Sequence, residues 1–367
     1  MSFKNLLSGI GVIIAATVGA GIFALPMVFS QAGWATTLIY LAVFSAALIY
    51  AHSLYWRARL AEESHLSLLG LLKKEFGRGV GGFAFLVIVG GLILTLLIYL
   101  ILGSNFLKIL FPAGSWGPLI FWLFASMPIL FSFSRFTALE NLGTIVKAGI
   151  ILFIFFININ PGALFSAPSF VPAKIFLPFG AILFAISGWT AIEPAMNIAR
   201  GKNFSRGAKW LLTLGTSLSA LLCFVFVMGI FSSANFITAD TISGLAGWPA
   251  PRLLAIIALG LFATWTAYLS ISLEVKNSLE KGNGWGETSA AAFVIFAPLV
   301  LFWAGLDNLM SVIALTGGIF LSLQYLFIVL LARKKLKLRG FENFTSGFLL
   351  LIFLAGAIYE IYYFIVK

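Results

Sequence analysis

Charge is the scarcest feature of this sequence. Only 10% of the 367 residues are charged, whereas 61% are hydrophobic. So little polar surface cannot cover a water-soluble globule of this size, and the chain belongs in a lipid bilayer. The 12 acidic residues are scattered, without the carboxylate cluster that a metal-dependent membrane transferase needs, and no Walker-type phosphate loop occurs. We therefore expect no enzymatic activity.

Cysteine and histidine are equally sparse. The single cysteine, Cys223, lies inside an apolar run, so neither a disulfide framework nor a cysteine metal cluster forms. His52 lies late in an apolar run and His65 lies in a polar loop, without the spacing of a metal site, and we assign both to packing or solvent. No cofactor and no metal centre is expected.

Long apolar runs dominate the rest of the chain. A hydrocarbon core of about 30 Å is crossed by roughly 20 apolar residues in a helix. By this measure the sequence predicts an all-α integral membrane protein with no soluble domain. The first run is too long for a signal-peptide core and counts as a span. Eleven spans are predicted, at residues 6–29, 34–56, 80–110, 117–134, 141–159, 174–198, 208–233, 251–273, 287–304, 308–332 and 344–366.

Basic residues set the predicted orientation, because Lys and Arg stay on the cytoplasmic side of a membrane. With the N-terminus inside and eleven spans, the C-terminus lies on the opposite side. We expect a multi-pass protein of the cell (plasma or inner) membrane whose net charge of +11 contacts membrane lipids, not nucleic acid. All but four of the 23 basic residues then lie on the cytoplasmic side, the exceptions being Lys108, Lys174, Arg252 and Lys367.

The first span contains a predicted helix break, in the stretch TVGAGIFALP from Thr17 to Pro26. Gly19 and Gly21 permit backbone angles that other residues resist, and Pro26 removes a hydrogen-bond donor. In a bilayer such a break survives only where protein or a cavity satisfies the freed backbone groups. Its half-helices present N–H groups, which suit a carboxylate, and carbonyl groups, which suit an ammonium or a cation. Close helix packing is the alternative use of these glycines.

The sixth span carries a second predicted break, FAISGWTAIEP from Phe184 to Pro194, in which a Ser-Gly pair precedes a proline. The first and sixth spans are corresponding members of two five-helix halves. Because each half has an odd number of helices, the halves run in opposite directions, as in the inverted repeats of secondary transporters. We expect a single core over residues 1–332, with repeats at 6–159 and 174–332, followed by a cytoplasmic basic loop and a peripheral eleventh helix at 333–367.

Two stretches resemble a known family, the amino acid, polyamine and organocation transporter superfamily, in its branch of aromatic amino acid and amino acid/auxin permeases. GAGIFALPMVFSQAGW, Gly19 to Trp34, resembles the first-helix signature, and FAISGWTAIEPAMNIARG, Phe184 to Gly201, resembles the sixth helix. The resemblance implies a LeuT-like fold, in which helices one, two, six and seven rock against three, four, eight and nine. It also implies a secondary active amino acid permease with a lean towards aromatic or large neutral substrates.

The resemblance further implies positions for the substrate. The substrate carboxylate is expected on backbone amides after the first break, and its amine on carbonyl groups of both breaks, whose backbone freedom comes from Gly19 and Gly188. Aromatic rings are expected to cover the site. The expected residues are Ala20, Gly21 and Ile22 for the carboxylate, Thr17, Phe184, Ala185 and Ser187 for the amine, Phe184 and Trp189 for the lid, and Tyr99, Thr264, Trp265 and Thr266 for the side-chain pocket.

Two intramembrane charges are candidates for ion coupling. In the resembling proton-coupled permeases a fifth-helix lysine faces the broken first helix, and Lys147 stands in the fifth span here. A desolvated lysine loses its proton more easily, so we expect a coupling proton beside the amino acid substrate. Snorkelling to the headgroups is the alternative for Lys147. Glu193, just before Pro194, is expected to accept a proton or to bond freed backbone groups.

The sequence is also compatible with three alternatives to a proton-coupled carrier. Hydroxyl groups of Thr264 and Thr266, with first-helix carbonyl groups, would form an oxygen cage for sodium, although the ammonium of Lys147 would repel a second cation. An exchange-type carrier of the same fold and a channel-like protein are further alternatives. Transport kinetics separates them, because a carrier saturates and a pore does not.

Overall fold

Helices account for the architecture of the described chain. The computed structural model describes residues 2–62, 66–111, 116–130, 136–157, 160, 162–199, 206–245 and 247–366. Within these ranges no β-strand occurs, as the predicted all-α class requires. The α-helices, in chain order, are α1 Phe3–Thr17, α2 Leu25–Ala32, α3 Trp34–Leu60, α4 Leu68–Leu110, α5 Gly117–Ser126, α6 Phe136–Ile157, α7 Gly162–Phe165, α8 Pro178–Ile186, α9 Ile192–Ala199, α10 Arg206–Ser233, α11 Ala250–Asn283, α12 Glu287–Trp303, α13 Leu309–Ala314, α14 Ser322–Leu336 and α15 Gly340–Val366.

The apolar helices correspond to the predicted spans. In the described part of the chain, seven helical segments are long and apolar enough to cross a membrane, and α1 together with Ala20–Ala32, bent by 52°, forms an eighth. Three shorter apolar segments, Gly117–Leu130, Ile145–Phe156 and Glu287–Trp303, lie at the predicted fourth, fifth and ninth spans. The chain is a multi-pass membrane protein.

Two helices, α4 and α11, extend at least ten residues beyond the predicted spans. α11 continues to Asn283, past the predicted end at residue 273. α4 begins at Leu68 instead of residue 80, with a kink at Gly77, whose φ is 83°. Apolar residues mark where the bilayer ends, whereas backbone hydrogen bonds carry a helix on into polar surroundings. The extension of α11 brings further polar residues onto a helix that faces the interior.

Ion pairs join several elements at the end of the bundle where α1 begins, here called the N-terminal face. Lys335 pairs with Glu62 at 2.6 Å and with Glu75 at 3.0 Å. Arg57 pairs with Glu342 at 2.7 Å. These contacts bring the end of α3, the start of α4, the end of α14 and the start of α15 to one face, as the predicted topology requires. That this face is cytoplasmic stays a prediction.

The two broken spans lie in the interior of the bundle. α1 packs against α6, α9 and α10, and α8 packs against α3 and a π-helical segment, Leu315–Leu321. α4 and α11 pack along each other beside them. α15 packs against α14 and the π-helical segment, with Glu360 on its buried side. This arrangement leaves the segments between α1 and α2 and between α8 and α9 inside the protein.

Candidate functional site

The first break separates α1 from α2. α1 ends at Thr17, Val18 and Gly19 leave the helical conformation, and a 3-10 turn, Ala20–Ala24, leads into α2. Gly19 has φ −117° and ψ −146°, and its N–H donates to the carbonyl oxygen of Thr17 at 2.9 Å. The break therefore occurs within the stretch that the sequence predicts. It leaves carbonyl groups at the end of α1 and N–H groups at the start of the turn without helical partners.

The second break separates α8 from α9. α8 ends at Ile186, Ser187 is extended with φ −69° and ψ 135°, and Gly188 follows with φ −150° and ψ 22°. A 3-10 turn, Trp189–Ala191, then leads into α9. This interruption also falls where the sequence predicts it, and it leaves a second set of carbonyl and N–H groups outside the helical pattern.

The two breaks touch each other. A Cβ atom added to Gly21 would lie 2.7 Å from the Cα atom of Ala185 and 2.8 Å from Cδ1 of Phe184. A Cβ atom added to Gly188 would lie 2.5 Å from Oγ1 of Thr17. Such distances are too short for any side chain, so the two segments approach this closely because glycine stands at both positions.

A cavity of about 40 Å³, here called the central cavity, lies between the two breaks. Its walls come from the first break, the second break, α4, α11 and the π-helical segment. Eight of the predicted substrate residues line it together: Thr17, Gly19, Ala20, Gly21, Tyr99, Phe184, Ser187 and Trp189. Residues that sequence reasoning did not include are Ala16, Leu92, Thr95, Thr190, Ile271 and Leu321. The structure thus brings most of the predicted site to one place.

A larger cavity of about 250 Å³ adjoins the central cavity and shares Ala16, Tyr99, Thr190 and Ile271 with it. We call it the vestibule. Its other walls belong to the half of α1 before the break, to the second break with α9, and to the later part of α11, so it extends from the breaks towards the N-terminal face. Those residues are Val12, Ala15, Ala191, Pro194, Ala267, Ser270, Leu273, Glu274 and Asn277.

Lys147 lies at a third, small cavity of about 20 Å³, together with Ile22 and Thr264. Its side chain is buried, and Nζ donates to the carbonyl oxygen of Ala15 at 2.9 Å. The hydroxyl of Thr264 donates to the carbonyl oxygen of Gly260 on its own helix at 2.8 Å. Thr264 and Ile22 therefore lie beside Lys147 and do not line the central cavity, unlike the other predicted substrate residues on the first break.

Five further predicted residues line neither the central cavity nor the vestibule: Ala185, Gly188, Glu193, Trp265 and Thr266. The hydroxyl of Thr266 donates to the carbonyl oxygen of Ala263 on its own helix at 3.0 Å. Ala185 and Gly188 are buried in the contact between the breaks.

Glu193 accepts a hydrogen bond from the hydroxyl of Tyr55 at 2.7 Å and pairs with Nε of Arg59 at 3.2 Å. The carboxylate of Glu193 is thus held by two side chains of α3. Tyr55 and Arg59 together satisfy the negative charge of Glu193. The carboxylate therefore does not need the freed backbone groups of the helix break, which were predicted from the sequence as its partners.

Comparison with known proteins identifies the fold. No protein-family model matches the chain, and no curated protein matches it in sequence. The crystal structure of MhsT in complex with L-phenylalanine matches with a TM-score of 0.66 at 15% identity, over 97% of this chain and 97% of that chain. The manganese transporter of Eremococcus coleocola, in complex with an aromatic bis-isothiourea substituted compound, matches with a TM-score of 0.68 at 14% identity, over 98% of this chain and 88% of that chain. The fold is LeuT-like.

In this LeuT-like fold the second break is held by α14, through residues that sequence reasoning missed. The hydroxyl of Tyr325 lies 2.9 Å from Nε2 of His52 and 3.0 Å from Oγ of Ser187, and it accepts a hydrogen bond from the N–H of Gly188 at 3.3 Å. His52 therefore belongs to a buried polar cluster at the break. A polar residue in an apolar span is the sequence signal that points to such a cluster.

Gln324 holds the other side of the same break. Its Oε1 accepts a hydrogen bond from Nε1 of Trp189 at 2.8 Å, and its Nε2 donates to the carbonyl oxygen of Val87 on α4 at 3.0 Å. The LeuT-like arrangement thus connects the ring of Trp189 to α4 through one amide. Gln324 and Tyr325 are adjacent in the sequence, and together they fix the segment Ser187–Trp189.

The substitution Tyr325→Phe tests this support. It removes the hydroxyl on which three groups converge and leaves buried polar atoms unpaired, which costs about 1–3 kcal/mol of stability. We expect a lower melting temperature of the purified protein in detergent. Tyr362→Phe, at a tyrosine that is 62% exposed, is the control and should have the same melting temperature as the wild type. Equal melting of both variants would show that the cluster does not stabilise the break.

Proposed function

We propose that this chain is a secondary active amino acid transporter of the amino acid, polyamine and organocation superfamily, working by alternating access. The observation that carries the proposal is the contact of two helix breaks around one cavity. Each break leaves backbone N–H and carbonyl groups without helical partners, and these suit the carboxylate and the ammonium group of an amino acid. The LeuT-like fold supports the proposal, as does L-phenylalanine in the MhsT structure.

In the proposed complex the substrate spans both breaks. Its carboxylate accepts hydrogen bonds from the amides of Ala20 and Gly21, and its ammonium group donates to carbonyl groups of Thr17, Phe184 and Ser187, all of which line the central cavity. Oγ1 of Thr17 is buried, lines the central cavity and has no hydrogen-bond partner among the described residues, so it is available to the substrate.

Aromatic walls favour an aromatic or large neutral substrate. Tyr99, Phe184 and Trp189 line the central cavity and offer ring faces and edges to a substrate side chain. A volume of about 40 Å³ is too small for such a side chain. Binding in this proposal therefore requires the cavity to widen, which the rocking of alternating access provides through the adjoining vestibule.

A divalent metal is the competing substrate, because a structural neighbour is a manganese transporter. Carboxylate, imidazole and sulfur ligands are the side chains with which proteins usually hold transition metals. The side chains that the two breaks present to the central cavity are instead hydroxyl groups and aromatic rings, those of Thr17, Phe184, Ser187, Trp189 and Thr190. This set suits an organic zwitterion better than a metal ion.

Lys147 is the proposed coupling group. Its ammonium donates to the carbonyl oxygen of Ala15, in the last turn of α1, and so holds α1 close to α6. Loss of the proton would remove the positive charge and weaken this bond, which would let the end of α1 move. The positive charge also opposes a sodium ion at the same carbonyl groups. Proton coupling is therefore preferred to sodium coupling.

Glu193 is the weaker coupling candidate. Its carboxylate is engaged by Tyr55 and Arg59, which together link α9 to α3 near the N-terminal face. This geometry supports a structural latch better than a proton acceptor on the substrate path. An exchange-type carrier of the same fold remains the alternative to a symporter, with a channel-like protein after it.

Uptake into proteoliposomes tests the proposed function. Wild-type protein should accumulate at least one labelled amino acid of a panel, saturably, under an inward proton gradient. Gly21→Ala should reduce this uptake at least tenfold, because its Cβ would lie 2.7 Å from backbone at the second break. Gly11→Ala is the matched control on α1, where the added Cβ meets no atom within 4 Å among the described residues, and it should retain uptake.

The other outcomes of that experiment are equally informative. If accumulation requires a sodium gradient, the coupling ion is sodium and not the proton. Conductance that does not saturate would indicate a pore. No movement of any amino acid under a proton gradient, a sodium gradient or neither would contradict the proposed substrate class, and manganese uptake in the same vesicles would support the metal alternative.

Lys147→Ala tests the coupling step. The variant lacks the ammonium that donates to Ala15, so proton-driven accumulation should fall at least tenfold, whereas counterflow of unlabelled against labelled substrate should persist. Lys209→Ala, at an exposed lysine in the first turn of α10, is the control and should transport like the wild type. Proton-driven accumulation by Lys147→Ala at the wild-type level would remove Lys147 from the coupling mechanism.

A further inference from the structure

We propose that Glu274 forms a second substrate subsite in the vestibule, which binds the ammonium group of an amino acid between the central cavity and the N-terminal face. The inference rests on the proposed transport function and adds a residue to it. It is carried by the position of Glu274 in the cavity wall and by the polar groups beside it.

The vestibule is large enough for a substrate and adjoins the central cavity. Its volume is about 250 Å³, against about 40 Å³ for the central cavity, and Tyr99 and Thr190 belong to the walls of both. A substrate that leaves the two breaks towards the N-terminal face therefore enters the vestibule next. The walls of this passage determine which groups it meets.

Glu274 is the one charged residue among those described in the vestibule wall. Within the described residues, no hydrogen bond or ion pair joins its carboxylate to another side chain. Glu193, by contrast, is engaged by Arg59 and stands outside this wall. The carboxyl group of Glu274 is thus the acidic group of the vestibule wall that is available to a cation. Burial and the nearby Glu193 oppose its ionisation, with Lys281 acting the other way, and an ammonium group bound at Glu274 would stabilise the ionised form.

Asn277 gives the subsite its second contact. It stands three residues after Glu274 on α11, so both side chains lie on the same face of the helix, and both line the vestibule. The amide of Asn277 donates hydrogen bonds and suits the carboxylate of an amino acid. Glu274 can hold the ammonium group of a zwitterion while Asn277 holds its carboxylate group. A metal ion or a simple anion could use only one of these two contacts.

Binding of phenethylamine tests the subsite, because this amine has the ammonium group of phenylalanine and lacks its carboxylate. The purified protein is titrated with phenethylamine and with 3-phenylpropionate at constant ionic strength, and thermal stabilisation is measured. Glu274→Gln should raise the phenethylamine concentration for half-maximal stabilisation at least tenfold. Glu274→Asp, which keeps the charge, should stay within about threefold of the wild type, and 3-phenylpropionate should stabilise neither protein through this subsite.

Glu280→Gln is the matched control. It is the same change on the same helix, at a glutamate that is close to Lys276 and does not line the vestibule, and it should bind phenethylamine like the wild type. Should Glu274→Gln fail to fold, Asn277→Ala keeps the test decisive when it is made in the Gly21→Ala protein, whose central site is blocked. There it should weaken phenylalanine binding at least tenfold and leave phenethylamine binding unchanged. Equal weakening of both ligands, or of neither, would overturn the subsite.

The subsite and the proposed function fail in different ways. The subsite is overturned if phenethylamine does not stabilise the wild-type protein. It is also overturned if phenethylamine stabilises Glu274→Gln protein at the same concentration as the wild type. Either result counts even if uptake is normal. Wild-type vesicles that transport no amino acid overturn the proposed function, whereas a tenfold shift on Glu274→Gln would still establish an amine site in the vestibule.

Discussion

Every backbone polar group inside a bilayer needs a partner, and the rest of this structure depends on how the chain meets that need at two interrupted helices. The interruptions lie against each other, with Gly21 beside Ala185 and Gly188 beside Thr17. Tyr325 then supplies a hydroxyl to the second break. The central cavity therefore lies where unpaired backbone groups of both polarities collect, and a zwitterion can satisfy those that the protein does not.

The last turn of α1 connects the three cavities. Ala15 accepts a hydrogen bond from Lys147, Ala16 lines both the central cavity and the vestibule, and Thr17 contacts Gly188 of the second break. These are consecutive residues, so a movement of this turn changes the coupling lysine, the substrate cavity and the exit path together. Such a shared element is what coupled transport requires, because ion and substrate must bias the same conformational equilibrium.

The sequence predicts what is local and misses what joins distant parts of the chain. The eleven spans and both breaks follow from apolar length, glycine and proline, which act within a few residues. The link from His52 through Tyr325 to Ser187 joins three spans and has no local pattern, and Glu274 lies just past the point where the apolar run ends. The sequence predicts Thr264 in the substrate pocket, but the residue lies beside Lys147. Which way a helix face turns depends on its packing against other helices, and no local sequence pattern gives that rotation.

The most direct test of the account is an experimental structure of the protein saturated with the amino acid that wild-type vesicles accumulate. We expect density for that amino acid between the two breaks, with its carboxylate at the amides of Ala20 and Gly21 and its ammonium group facing Thr17 and Ser187. The opposite result would be density for the amino acid elsewhere in the protein, with only side chains in the space between the breaks. That result would contradict the claim that the paired breaks form the substrate site.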